Sequence, residues 1–173
     1  MIPQRIQTLF DTGAFEVPYF DNARVSIDFD EDYPDDRLVQ VLEAFLERTP
    51  DDRRRDARHL LAYCKGMIDA CGRAEEMLEF LGGTMPTLAT IWDFAEPSGS
   101  FVCKRPTGEY NEQDTLFVCL IGRVPWEDEH GLLMSWEEGR TLVKVGPFDD
   151  EPTNGTWNDH FVYCHDDFST LRD

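Results

Sequence analysis

The sequence predicts an α+β domain in which a helical layer covers one face of a mainly antiparallel sheet. Two segments near the start are rich in β-favouring residues, and the middle of the chain then changes to apolar residues at helical spacing. From residue 88 onward the strand pattern returns, and this order is typical of α+β proteins. We expect one domain over 1–173, comprising an N-terminal hairpin at 15–29, two to three helices within 35–81 and a C-terminal sheet at 88–165.

Segments 15–20 and 24–29 predict the first hairpin, because the turn-prone pair Asp21-Asn22 lies between them. Pro18 lacks a backbone N–H, which favours an edge position for the first strand. The second strand alternates apolar and polar residues, so one of its sides should face water. The polar side holds Arg24, Ser26 and Asp28.

The helical segment begins after Pro34, where Asp35 and Asp36 suit the positive end of a helix dipole. Thr49 followed by Pro50 predicts the start of a second, longer helix, which Gly72 ends. Its apolar stripe consists of Ala57, Leu60, Leu61, Cys64, Met67, Ile68 and Cys71. A shorter helix is predicted at about 74–81.

Six strands are predicted after the helices, at about 88–94, 100–104, 115–122, 131–136, 141–146 and 160–164. The run 115–121 shows no polar alternation, which predicts a central strand covered on both faces. The short loop 137–140 contains Gly139, which can adopt positive φ, so the flanking strands should form a second hairpin.

The charge narrows the classes of partner. The chain has 35 acidic and 16 basic residues, a formal charge of −19. This sign opposes nonspecific binding to nucleic acid and to anionic membranes, and it favours a basic protein partner. Most of the charge lies in two blocks, −10 over 11–52 and −9 over 125–173.

The start of the chain lacks the apolar core of a signal peptide, and no apolar run approaches the length of a bilayer span, so we expect a cytoplasmic protein. Its five cysteines are an odd number, which suits reduced thiols. Cys64, Cys71 and Cys119 are predicted to act as small core hydrophobes. The cluster formed by His160, Cys164 and His165 lacks a second close pair for zinc, which favours a structural role.

Catalytic and cofactor motifs are absent from the sequence. It contains no G-x-S-x-G elbow, Walker loop, G-x-G-x-x-G turn or H-E-x-x-H helix. The acids from Asp28 to Asp32 begin like a calcium loop, but Tyr33 and Val39 stand where that loop needs glycine and glutamate. We therefore predict no catalytic residues, no metal site and no cofactor.

One basic cluster, Arg53-Arg54-Arg55 with Arg58, stands out in the acidic chain. We expect these arginines, and the neighbouring His59, to point to solvent or toward the acidic residues at 28–36. Pairing with the chain's own carboxylates is favoured over a phosphate-binding patch.

The most distinctive segment runs from Trp126 through Glu127, Asp128, Glu129 and His130 to Gly131-Leu132. Its acids and histidine have the chemistry of a metal or acid/base site. They are equally suited to a hydrogen-bonded brace for a loop that enters a hairpin, with Trp126 closing the edge of the core. The brace is the favoured interpretation.

This segment resembles an uncharacterised bacterial domain family in which a tryptophan and acidic residues precede His-Gly-Leu at the opening of a hairpin. The resemblance extends loosely over about residues 15–160 and implies no established activity. The small acidic α+β design is also similar, more distantly, to the immunity proteins that bacteria pair with toxins.

The leading hypothesis is a non-catalytic, immunity-type inhibitor that binds a basic toxin or effector protein. Tyr33 and Trp157 are candidate exposed anchors. The predicted partner-binding residues are Asp28, Asp30, Asp32, Tyr33, Glu127, Glu129 and His130. The alternative is a metal-dependent or acid/base hydrolase, which requires Glu127, Glu129 and His130 to converge with Asp28 or Asp30 in one pocket.

Overall fold

The computed structural model describes residues 2, 4–29, 33–72, 74–106 and 108–153, and it confirms the α+β class. Within these residues, four helices accompany a sheet of six strands. The helices are α1 (Gln4–Thr12), α2 (Asp35–Leu46), α3 (Pro50–Cys71) and α4 (Ala74–Phe80). The strands are β1 (Ala14–Val17), β2 (Ala23–Phe29), β3 (Glu96–Arg105), β4 (Thr115–Val124), β5 (Glu127–Glu137) and β6 (Thr141–Gly146).

The strands lie side by side in the order of the sequence, from β1 at one edge to β6 at the other. Every neighbouring pair is antiparallel except β2 and β3, which are parallel. A parallel pair needs a long connection, and here helices α2, α3 and α4 supply it. The helical segment therefore lies, along the chain, between the second and third strands of the sheet.

The predicted N-terminal hairpin is confirmed: β1 and β2 pair antiparallel, with Val17 opposite Ala23. Asp21 and Asn22 both adopt positive φ, 54° and 63°, between β1 and β2. Strand β1 is an edge strand but ends at Val17, and Pro18 begins a 3-10 turn rather than extending the strand. Helix α1 was not predicted, and its Ile6 and Leu9 are fully buried.

Helix α3 begins and ends where predicted. The Thr49 hydroxyl accepts a hydrogen bond from the Asp52 N–H, and the Asp52 carboxylate accepts one from the Thr49 N–H at 2.7 Å. Gly72 adopts the left-handed conformation at the other end, with φ of 66°. The expected exposure of His59 is wrong, because more of α3 is buried than its apolar stripe predicts: 3-10 turns at Pro18–Phe20 and Ile91–Phe94 and strand β6 all pack on this helix.

The strand predicted at 88–94 is also wrong. Residues Ile91–Phe94 form a 3-10 turn, and the Trp92 indole N–H donates a 2.9 Å hydrogen bond to the Arg53 carbonyl of α3. The apolar residues of this segment therefore pack on helix α3 and do not pair with a strand. The strand predicted at 160–164 lies outside the described residues.

The two faces of the sheet differ in what covers them. One face packs on the helices and contributes to the main core, which includes Trp136 and Phe45. The other, here called the open face, carries a smaller cluster of Phe117, Cys119, Leu133 and Val143, against which Phe148 packs from the segment after β6. Strand β4 is buried on both faces from Leu116 to Leu120, as predicted for a central strand. None of the described helices has the length and apolar character needed to cross a membrane.

Candidate functional site

The segment after Trp126 forms a bulge in which one carboxylate organises the backbone. Glu127 Oε1 accepts hydrogen bonds from the backbone N–H of Glu129 at 3.1 Å and of His130 at 3.0 Å. The same oxygen lies 3.4 Å from His130 Nδ1. Glu127 and His130 therefore meet, while Glu129 is exposed to solvent. A carboxylate occupied by two backbone donors holds the loop in shape.

Gly131 fixes the base of this bulge. It has a φ of 67°, and a Cβ placed on it would lie 2.5 Å from the Gly122 carbonyl of β4. The Tyr63 hydroxyl of α3 donates a 2.7 Å hydrogen bond to the Gly131 carbonyl, and the buried Trp126 ring packs edge-on against Tyr63. Burial raises the pKa of Tyr63, so the phenol stays a neutral donor. These contacts correspond to the predicted brace.

The strand register separates Asp28 from His130. Asp28 is opposite Phe101 on β3, Phe101 is opposite Cys119 on β4, and Cys119 is opposite Ser135 on β5. Three strand spacings place Asp28 about 14 Å across the sheet from β5, and His130 lies further along that strand. The convergence of Asp28 with Glu127 and His130 that the hydrolase hypothesis requires is therefore not found among the described residues.

The other predicted partner-binding residues have different outcomes. Tyr33 is only 7% exposed and packs against Tyr110 with tilted rings, whose centroids are 5.9 Å apart, so its expected exposure as an anchor is wrong. Asp30, Asp32 and Trp157 lie outside the described residues, as do His160, Cys164 and His165. Asp28 itself is exposed on the polar side of β2, as predicted.

Asp28 lines a groove of about 680 Å³ on the open face, above the parallel junction of β2 and β3. The groove has an aromatic wall of Phe101 and Phe148, whose rings meet edge to face at 6.3 Å. Asp150 supplies a second carboxylate. The described lining residues include no lysine and no arginine. The volume is within the range of pockets that bind small ligands or single side chains. We call this the open-face groove.

The segment 147–153, which supplies Phe148 and Asp150, is held down by a buried lysine. Lys144 of β6 is fully buried, and its ammonium donates to Asp149 Oδ1 at 2.5 Å and to the Glu151 carbonyl at 2.6 Å. Burial lowers the pKa of Lys144, and the hydrogen bond and charge of Asp149 oppose that effect. Arg105 of β3 also forms an ion pair with Glu151. One wall of the groove therefore depends on these two cations.

Ion pairs within the chain occupy many of its cations. At least nine of the 16 basic residues pair with carboxylates of the described residues. Arg53, Arg54 and Arg55 pair with Asp21, Asp51 and Asp52, which confirms that these arginines neutralise the chain's own acids. Those partners do not include the predicted residues at 28–36. Arg53, Arg54 and Arg55 are therefore paired within the chain, whereas the exposed Arg58 donates a 3.2 Å hydrogen bond to the His59 ring. The surplus acids determine the outward field.

Asp28 was predicted from the sequence as a partner-binding residue, but the other residues that line the groove were not. Phe101 and Ile121 were predicted to lie in strands, but no sequence pattern predicts that β3 pairs with β2. Phe148 and Asp150 reach the groove only because the chain turns back over the open face after Gly146-Pro147. A glycine-proline break after a strand was the available signal for that turn.

The similarity of the chain to known proteins is confined to one domain family. No curated protein and no solved structure matches the chain. Residues 5–152 match a family described as a domain of unknown function, DUF6985. The matched region covers all the described helices and strands apart from the first residue of α1, including the open-face groove and the bulge at Glu127. The chain therefore belongs to the DUF6985 family.

Proposed function

We propose that this protein is a non-catalytic binding domain whose open-face groove receives a basic side chain of a partner protein. The observation that supports the proposal is the presence of two carboxylates, Asp28 and Asp150, in the lining of one groove whose described lining has no lysine or arginine. In the fuller form of the proposal, the protein is a bacterial, cytoplasmic immunity-type inhibitor, and the partner is a basic toxin or effector.

The lining of the groove suits the two parts of a lysine or arginine side chain. The aliphatic stem of such a residue packs on apolar surface while its charged end stays near polar groups. Phe101 and Phe148 offer the apolar surface, and Asp28 and Asp150 offer the anions. An arginine would add a cation–π contact with one of the rings.

The net charge of −19 assists the encounter at longer range. Because the internal ion pairs occupy much of the positive charge, a basic partner meets a predominantly negative field. Opposite potentials accelerate association, and salt screens them. The proposal therefore implies an association rate that falls as ionic strength rises.

The test uses the full chain and a fluorescent, lysine- and arginine-rich peptide as the probe, with binding followed by fluorescence anisotropy. The double variant Asp28→Asn/Asp150→Asn removes both groove carboxylates with little change in shape. We expect the wild type to bind the peptide and the variant to bind at least about tenfold more weakly, because each lost charged contact contributes more than 1 kcal/mol.

A matched control removes the same charge elsewhere. The double variant Asp69→Asn/Glu75→Gln alters exposed carboxylates on α3 and α4. It should retain wild-type affinity apart from a small general effect of charge. Equal losses in both variants, or no binding by the wild type, would refute the groove as a site for basic groups.

The hydrolase alternative has no comparable support. Its candidate residues Glu127, Glu129 and His130 do not line the open-face groove, and the Glu127 carboxylate is engaged by backbone donors.

A further inference from the structure

Two cysteines face each other on the open face of the sheet. Cys103 lies on β3 and Cys119 on β4, and their sulfur atoms are 3.7 Å apart. The antiparallel register pairs Cys103 with Phe117 and Phe101 with Cys119, so the two thiols are diagonal neighbours on one face. The residues are 16 positions apart, so the pair cannot be recognised in the sequence by a C-x-x-C spacing.

The two thiols have different surroundings. Cys119 is completely buried, and its sulfur lies 3.3 Å from the Ser135 hydroxyl. Cys103 is only half-buried. The pKa of Cys103 is lowered by its hydrogen bond with Cys119 and by the positive charges of Arg105 and Lys144. Burial raises the pKa of Cys119. Partial exposure beside cations is the environment in which protein thiols react as nucleophiles.

The two cysteines of helix α3 have different surroundings. Cys64 is buried, and burial raises the pKa of its thiol to about 12. Cys71 is half-buried, and its sulfur contacts the Ile68 carbonyl of its own helix at 3.3 Å. Among the four cysteines that the structure describes, Cys103 therefore has the strongest case for reactivity.

We propose that Cys103 and Cys119 form a dithiol site that reacts with hydrogen peroxide, with Cys103 as the nucleophile and Cys119 as the resolving thiol. The Cys103 thiolate attacks one peroxide oxygen, the O–O bond breaks, and hydroxide leaves, giving a sulfenic acid on Cys103. The Cys119 sulfur then attacks the Cys103 sulfur. The S–O bond breaks, the Cys119 proton leaves with the hydroxyl group as water, and a disulfide remains. Peroxide is reduced by two electrons, and the two thiols are oxidised by two.

The geometry favours the second step. The sulfur atoms must approach from 3.7 Å to about 2.05 Å, and because the two residues are diagonal rather than directly opposite, closure requires a small shift of the strands as well as rotation of both side chains. The resolving thiol is already in contact with the site of the sulfenic acid. Over-oxidation of Cys103 should consequently be slower than closure of the disulfide.

The experiment exposes the reduced full chain to a few equivalents of hydrogen peroxide and analyses it by intact mass and non-reducing peptide mapping. A Cys164→Ser background removes the cysteine that lies outside the described residues. We expect a mass loss of about 2 Da, a peptide linkage between Cys103 and Cys119, and full reversal by dithiothreitol. Unlinked Cys103 and Cys119 peptides after treatment, or a link to another cysteine, would overturn the proposal.

Two variants assign the roles. In Cys119→Ser the sulfenic acid cannot be resolved, so dimedone should label Cys103 stoichiometrically. The matched control Cys71→Ser removes another half-buried thiol and should leave the linkage unchanged. Dimedone labelling at Cys64 or Cys71 instead of Cys103 would refute the assignment. The wild-type peptide map decides the proposal even if Cys119→Ser folds poorly.

Discussion

The Tyr63 hydroxyl of α3 donates a 2.7 Å hydrogen bond to the Gly131 carbonyl of β5, and so joins the longest helix to the bulge that follows Trp126. The two residues are 68 positions apart in the sequence. Because the ring of Tyr63 is fully buried, water has little access to replace the lost donor. This bond connects the helical layer to the Trp-acidic-His-Gly-Leu segment.

Replacing Tyr63 by Phe should lower the free energy of unfolding by about 1–2 kcal/mol, because the Gly131 carbonyl loses its side-chain partner. Urea unfolding followed by circular dichroism measures the change. Tyr110→Phe is the matched control, since the Tyr110 hydroxyl has no hydrogen bond to any residue of the described chain. Equal effects in the two variants would show that the bond to Gly131 contributes nothing.

Gly139→Ala should destabilise the protein by about 3 kcal/mol. Gly139 has a φ of 68°, and its Cβ would lie 2.2 Å from the Val41 carbonyl of α2. Strain at positive φ contributes about 1 kcal/mol, and the backbone clash adds about 2 kcal/mol. Gly82→Ala is the control, because Gly82 also has positive φ but faces open space. Thermal or urea unfolding should show a loss of only about 1 kcal/mol for the control; if the two losses match, the contact with α2 is unimportant.

The stability of the protein should fall between pH 7 and pH 5 through His59. Burial, and then the neighbouring charge of Arg58, lowers the pKa of His59 to about 4, whereas the unfolded chain has a value near 6.5. Below pH 6.5 the unfolded state binds the proton and the folded state does not. Acidification to pH 5 therefore removes about 2 kcal/mol of the free energy of unfolding, and the loss is complete below pH 4.

Urea unfolding at pH 7 and pH 5 checks this expectation. His59→Gln should remove about 2 kcal/mol of the pH dependence. His130→Gln is the control, because the His130 side chain is 43% exposed at the surface bulge. If His59→Gln keeps the wild-type pH dependence, the pKa of His59 does not differ between the folded and the unfolded chain.

Lys144→Met should cost about 3–5 kcal/mol of stability, because it leaves the Asp149 carboxylate, which is 1% exposed, without its cation. The double variant Lys144→Met/Asp149→Leu should recover most of that loss, as apolar pairs replace buried ion pairs without a large penalty. Arg140→Met is the control, since Arg140 and Glu47 are both mostly exposed and 3.8 Å apart.

Limited proteolysis gives a second measurement on the same variants. The single Lys144 variant should be cleaved faster within 147–153 than the wild type, because this segment loses its attachment to β6. Unchanged cleavage would mean that Arg105 and Phe148 hold the segment without Lys144.

Local patterns predicted the elements that are stabilised locally. Helix α3 has its capping box, its apolar stripe and its terminal glycine in consecutive sequence, and all three appear as expected. The turn at Asp21-Asn22 and the loop at Gly139 were equally readable, since positive φ favours few residue types. Helix α1 was not predicted because its apolar side consists of only three residues, Ile6, Leu9 and Phe10.

Features formed by distant segments could not be predicted in this way. His59 is buried, on a helix against which 3-10 turns and a strand from distant parts of the chain pack, whereas its neighbours Arg58 and Leu60 suggested opposite exposures. Tyr33 follows an acidic run and was expected to be exposed, but it is buried and packs against Tyr110. Asp28 and Asp150 share a groove, and Cys103 meets Cys119, only through strand register and the return of the chain over the sheet.

The parallel alignment of β2 with β3 also has a consequence for how the chain assembles. Strands β3 to β6 each pair with the strand that follows closely in the chain. Strand β2 pairs with β3, and 66 residues lie between these two strands. Closing so long a loop carries a larger entropy penalty than forming the later hairpins, and distant contacts slow folding. The β1–β2 hairpin is synthesised before the other strands. It is nevertheless expected to join the sheet last, by pairing with β3 after strands β3 to β6 have formed.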